Sequence, residues 1–207
     1  TKMLYWEMEL ESLDDLAMLE IFQNQMKEAN RLFAKFIEIN YENWIKNKTG
    51  PLMSHQILKE KLFPILKSRS NKTTLMLVID NLRFDQWKMI SPIIENLYQK
   101  EEEISYYSIL PTATNYARNA IFSGMMPLEM QKKHPELWIN ENEEGGKNLN
   151  EEHFLEAQLL RNGMKPKISY SKITNLKAGR ELSQSLHNHQ KDDLMVIVYN
   201  FVDMLSH

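Results

Sequence analysis

Three stretches of this chain end an apolar run on a group that could do chemistry: Ile79-Asp80-Asn81, Leu110-Pro111-Thr112-Ala113-Thr114-Asn115, and Phe201-Val202-Asp203-Met204-Leu205-Ser206-His207. Asp80 directly follows the apolar run Leu75 to Ile79. Its carboxylate is therefore expected at the edge of a sheet, where an unpaired charge is costly. It either ligates a metal ion or caps a helix beginning at Phe84, a task Asn81 or Asp85 could perform equally well. Asp203 and His207 stand four apart, so both side chains share one face if the backbone there is helical. Such a pair can offer an oxygen and an imidazole nitrogen to one divalent ion, a mix suited to zinc and, less selectively, to manganese. The alternative is a capping Asp beside a surface His.

Thr112 and Thr114 precede a helical pattern, and either is a natural N-cap. As a nucleophile, a threonine hydroxyl attacks phosphorus only when a base or metal ion makes it alkoxide-like. The helix N-terminus that follows would present N–H groups and the positive dipole end to phosphate oxygens. Arg118, four residues after Thr114, either contacts that phosphate or pairs with a carboxylate.

The bulk numbers narrow the setting. The chain has 207 residues, 43% hydrophobic and 26% charged, which fits a soluble globular protein of two unequal units. Apolar runs such as Leu75 to Ile79 and Met195 to Tyr199 fall far short of the ~20 residues that span a bilayer, and the N-terminus has no signal-peptide pattern. A cytoplasmic protein without membrane association is expected. There is no cysteine, so any metal must be held by oxygen and nitrogen. A net charge of -3 supplies no basic face for long nucleic acid, so a nucleotide substrate would be small.

These groups need elements to position them. From Leu16 to Trp44 apolar residues recur at spacings of three and four, predicting a long amphipathic helix whose stripe is expected to be intramolecular core, or else a dimer-forming linker. Thr49, Gly50 and Pro51 stop it, and Ser54 is the expected cap of a second helix through Ile57, Leu58, Leu62 and Phe63. Thr1 to Glu9 has no start signal, and Leu4, Trp6 and Met8 alternate with more polar neighbours, so the stretch is expected to begin inside a larger element. The polar, basic stretch Lys67 to Thr74 divides the chain into 1–70 and 71–207. Beyond it the pattern predicts strands at Leu75 to Ile79, Ile104 to Leu110, Lys167 to Ile173 and Leu194 to Phe201. Helices are expected at Phe84 to Gln99, Asn115 to Ser123, Glu151 to Arg161 and Leu176 to His187. Met125 to Asn150, with Pro127, Pro135, Gly145, Gly146 and acids at Glu141, Glu143 and Glu144, reads as an excursion. Alternation of strands and helices predicts an α/β fold with a mostly parallel sheet covered on both faces.

The stretches Val78 to Trp87, Leu110 to Gly124 and Asn200 to His207 resemble the PglZ domain, a branch of the alkaline phosphatase superfamily. More narrowly, the chain resembles PorX-type response regulators of Bacteroidetes, in which a receiver domain, a three-helix linker bundle and a PglZ output domain follow one another. The segment through Trp44 and Met53-Ser54-His55 is similar to that linker. The resemblance implies a metal-dependent phosphodiesterase or phosphatase with two zinc ions, manganese being the alternative, acting on small or cyclic oligonucleotide phosphodiesters. It implies control by a sensor kinase through a receiver domain, a link to type IX secretion, and a possible homodimer. A non-catalytic nucleotide-binding or dimerisation module is the alternative. By the same resemblance, Asp80 would ligate one metal and Thr114, with Thr112 as the alternative, would be the nucleophile touching it. Asp203 and His207 would hold the second metal, and Asn115 and Arg118 would contact substrate. The family pattern adds ligands beyond His207, so the 207 residues are expected to hold about half of the metal site, to lack part of the sheet, and to be inactive alone.

Overall fold

A computed structural model describes residues 2–13, 16–47, 49–68, 72–139 and 148–200. In chain order its helices and strands are α1 (Lys2–Leu13), α2 (Leu16–Asn47), α3 (Phe63–Ser68), β1 (Thr74–Ile79), α4 (Phe84–Glu95), α5 (Thr114–Ser123), α6 (Pro127–Lys133), α7 (Glu151–Arg161), β2 (Ile168–Ile173), α8 (Leu176–Ser185) and β3 (Leu194–Tyr199). A 3-10 turn at Ser54–Gln56 and a π-helical turn at Leu58–Leu62 lead into α3, and a second 3-10 turn, Leu186–His189, follows α8. The chain divides into two compact units, one of Thr1–Pro51 with Leu82–Ile104 and one of Leu52–Asn81 with Ser105–His207.

The first unit holds α1, α2 and α4. The amphipathic pattern makes α2 one long helix, and Phe22 of its apolar stripe is buried. Other members of the stripe, Phe33 and Phe36, are about half exposed, so the stripe is only partly intramolecular core. The Phe36 and Trp44 rings lie 5.5 Å apart along the helix. At its end the Trp44 side chain lies over Gly50, where a Cβ would stand 2.5 Å from Trp44 Cβ; only glycine permits that approach. Residues lacking a start signal nevertheless form α1. The Tyr5 ring meets Phe84 of α4 edge-on at 6.0 Å, and Lys88 Nζ sits 4.9 Å from the Phe84 ring while pairing with Glu103 at 2.7 Å. The helix expected to reach Gln99 ends at Glu95, where the Leu97 and Tyr98 N–H groups both turn back to the Ile94 carbonyl.

The second unit is built on a parallel three-stranded sheet of order β1-β3-β2. Its strands are in step, with Ile79 and Ile173 both opposite Tyr199 at the carboxyl end. β3 is central and apolar throughout, and Leu194 to Val198 are all buried. On one face Ile173, Met195 and Ile197 pack against Ala178 and Leu182 of α8. On the other the Phe122 ring of α5 meets Tyr170 of β2 at 6.1 Å. Helices thus flank both faces of an α/β sheet. Cover is incomplete over β1, where Leu75 and Leu77 are 53% and 50% exposed.

Two expectations for this unit fail. Ile104 to Leu110 is no strand: it makes a single parallel bridge, Tyr107 to Met53, because no neighbouring strand is alongside to pair with the rest. Ser54 is no helix cap either. Its hydroxyl accepts the Ile109 N–H at 3.1 Å, and the turn beginning there is closed instead by Gln56 Oε1 accepting from the Met53 N–H at 2.9 Å. The excursion after Met125 contains α6, started by Pro127 where the missing N–H costs nothing. Gly145, Gly146 and the acids at 141, 143 and 144 lie outside the described residues, as does Phe201, the expected end of β3. No helix among the described residues is long and apolar enough to cross a membrane.

Candidate functional site

The carboxyl edge of the sheet brings two polar residues level. Asp80 follows Ile79 of β1 and donates its N–H to the Tyr199 carbonyl at 3.0 Å. Asn200 follows Tyr199 of β3 and donates to Ile173 O at 2.8 Å. The chain then turns away from β1 through Asn81, whose φ of 58° lies in a left-handed region that Asn tolerates better than most residues.

Arg118, on α5, joins these strand ends. Its Nη1 donates to Asp80 Oδ2 and to Asn200 Oδ1, each at 2.8 Å, and its Nε donates to Glu151 Oε1 at the start of α7. The guanidinium is inward-facing, with 5% of the side chain exposed against 18% for Asp80 and 1% for Glu151. The second oxygen of Glu151 accepts from the Tyr170 hydroxyl at 2.7 Å and from Lys172 Nζ at 3.2 Å. Tyr170 and Lys172 alternate along β2 and so reach the same side of the sheet. Two carboxylates and two cations share this pocket, which is the condition for burying Glu151 as an anion. Burial first, and the negative Glu151 second, push the Tyr170 hydroxyl well above its ordinary pKa, so it stays a hydrogen-bond donor.

Asp80 therefore caps no helix; Arg83 precedes α4, and Asp80 is committed to an ion pair. Arg118 takes the ion-pair role that was the alternative to substrate contact. Thr114 is the first residue of α5, and neither it nor Thr112 caps the helix. Ala113 occupies the cap, and its carbonyl accepts from the Tyr116 and Ala117 N–H groups, both at 2.9 Å. Thr112 and Thr114 are exposed, and Asn115 is half-buried. Thr114 stands one helical turn before Arg118, on the face by which α5 reaches Asp80. Asp203 and His207 lie outside the described residues.

Among the described residues no group of three or more His, Asp or Glu side chains is arranged to hold a metal ion. At the strand end Asp80 supplies one carboxylate that could contribute to such a site. Asp80 spends Oδ2 on Arg118, and a carboxylate has acceptor capacity on both oxygens, so a divalent ion can be taken alongside the ion pair.

Sequence reasoning missed Glu151, Tyr170, Lys172 and Asn200. Glu151 reads as an ordinary acid in the first turn of a helix, where it favours the dipole. Only the period-two placement of Tyr170 and Lys172 hinted at a polar side to β2.

The family model described as the BREX system PglZ alkaline phosphatase-like domain matches residues 57–207. That described as the PorX response regulator linker domain matches residues 1–45. No curated protein matches the chain.

Proposed function

The chain belongs to the PglZ alkaline phosphatase-like family, and on that footing we propose that it is the metal-dependent phosphoesterase output of a response regulator, acting on small or cyclic oligonucleotide phosphodiesters. The observation that carries this reading is the tie from Asp80 through Arg118 to α5, the helix that presents Thr114 at its exposed first position. The linker match at residues 1–45 supports the regulatory half. A sensor kinase would act through a receiver domain, type IX secretion would be the process controlled, and the setting would be cytoplasmic. The helical unit offers a surface for a homodimer.

In this reading Asp80 holds one divalent ion, zinc or manganese, and Asp203 with His207 holds a second. When bound, the ions neutralise charge on the phosphoryl oxygens and favour the ionised hydroxyl. The Thr114 oxygen would form a bond to phosphorus as the bond to the leaving alcohol breaks, the hydroxyl proton going to that alcohol, and water would then release the remaining phosphate monoester and restore the Thr114 hydroxyl. In this reading the first N–H groups of α5 would bind the phosphate, with the Asn115 side chain donating to it. Arg118 acts one layer below, on Asp80.

The test is hydrolysis of a chromogenic phosphodiester and monoester by the full-length protein with zinc or manganese, before and after chelation. Metal-dependent turnover is expected. Saturable binding of the diester by metal-loaded protein that cleaves neither ester would replace this reading with a non-catalytic binding module.

A further inference from the structure

In sequence the proposed metal-holding residues come after two different strands. Asp80 directly follows β1, and Asp203 comes three positions after Asn200, the residue that directly follows β3. Their strands are in register, and one nitrogen touches both ends: Arg118 Nη1 donates to Asp80 Oδ2 and Asn200 Oδ1 at 2.8 Å each. Two acceptors on one nitrogen can lie no farther apart than twice that distance. The guanidinium is planar and rigid, so fixing its opposite edge fixes this nitrogen as well. Glu151 does that, accepting from Nε, and Glu151 is itself held by Tyr170 at 2.7 Å and Lys172 at 3.2 Å from the third strand, β2.

We infer that Arg118, seated on Glu151, is a positioning residue that holds the Asp80 carboxylate and the Asn200 side chain together at the carboxyl ends of β1 and β3, in addition to the backbone bond from Asp80 N–H to Tyr199 O. Its effect on metal binding rests on the phosphoesterase reading; the clamp itself does not. A substrate-contacting arginine would be reachable by substrate, whereas this one is 5% exposed and its Nε and Nη1 donors are turned toward other residues of the chain. Residues that orient metal ligands typically change metal affinity by ~10- to 100-fold when replaced.

The experiment uses the full-length protein carrying Glu151→Gln, and separately Arg118→Lys. Tyr170→Phe, which removes one bond to Glu151, takes the place of either if it does not fold. Amide hydrogen exchange at Asp80 and Asn200 is measured without metal, against Val78 and Val198 within the strands. Zinc affinity is measured by competition with a chromogenic chelator, and kcat and KM on the diester. Exchange at the two strand ends is expected to quicken about 10-fold with the strand interiors unchanged, zinc affinity to fall about 10-fold, and KM to move less than about twofold. Arg118→Lys keeps the charge and loses the fork, so its changes should be in the same sense and smaller. Unchanged strand-end exchange in folded variants overturns the clamp, as does a raised KM with exchange unchanged, which would make Arg118 a substrate contact. Wild-type protein that binds no zinc while the exchange response persists removes the phosphoesterase reading and keeps the clamp.

Discussion

Ser54 and Ile109 are joined by one hydrogen bond across 55 positions of sequence: the Ile109 N–H donates to Ser54 Oγ at 3.1 Å, and both residues are fully buried. That bond fixes the stretch running into Pro111, Thr112 and Thr114. Ser54→Ala would leave a buried N–H without its acceptor, a loss of about 1 to 3 kcal/mol. Urea denaturation should show it, and an unmoved midpoint would mean that another acceptor takes over.

Gly124 ends α5 with φ +64°, and its N–H closes on the Ala120 carbonyl at 2.9 Å. A Cβ there would stand 2.2 Å from Gln158 Nε2 on α7. Gly124→Ala is predicted to destabilise by about 1 to 3 kcal/mol through the left-handed backbone alone, with displacement of buried Gln158 adding to it. A thermal melt equal to wild type would show that α5 can end differently.

Lys167 beside Asp192, at 2.9 Å, and then His189, at 3.0 Å, hold the Asp192 carboxyl down from 3.8 to about 2. The unfolded chain therefore takes up this proton at a higher pH than the folded one. Its contribution to stability is complete above about pH 4 and is lost as pH falls to about 2. Asp192→Asn should remove part of the acid sensitivity in that window. Parallel stability curves for variant and wild type across it would contradict the assignment.

Thr114 is exposed and does not cap α5, so Thr114→Val should leave folding intact. If Thr114 is the nucleophile, kcat on a diester falls by roughly a thousandfold or more, on the scale lost when an attacking group is removed. Full activity in that variant would pass the role to Thr112, to be checked by Thr112→Val.

The strands that read clearly were those whose residues are apolar without interruption, although only β3 is buried on both faces. Leu75 to Ile79 and Leu194 to Tyr199 are continuous apolar runs; β1 begins one residue before its expected start, and β3 begins at Leu194 as expected but ends at Tyr199, short of the expected Phe201. Ile104 to Leu110 is rich in Ile, Leu and Tyr, yet a strand is defined by its neighbour, and composition cannot say that, among the described residues, its one bridge will be to Met53. Lys2–Leu13 hid for the opposite reason: Leu4, Trp6 and Met8 alternate like a strand, while the helix gains its support from Phe84, far along the chain. At the site, the strand-end rule finds Asp80. It cannot find Glu151, whose burial depends on Arg118, 33 residues earlier, and on two side chains of β2.

The pairing of Asp80 and Glu151 with Arg118 and Lys172 also constrains how this protein can change by descent. A single neutral replacement at Glu151 or Arg118 leaves a charge stranded in the interior, at about 3 to 5 kcal/mol against a total stability on the order of 5 to 15. The cheap routes are double: an acid and a base exchanged together for uncharged partners of similar volume. Those four positions are thereby tied into one heritable unit, and a lineage that loses one member is under pressure to replace another before it drifts further.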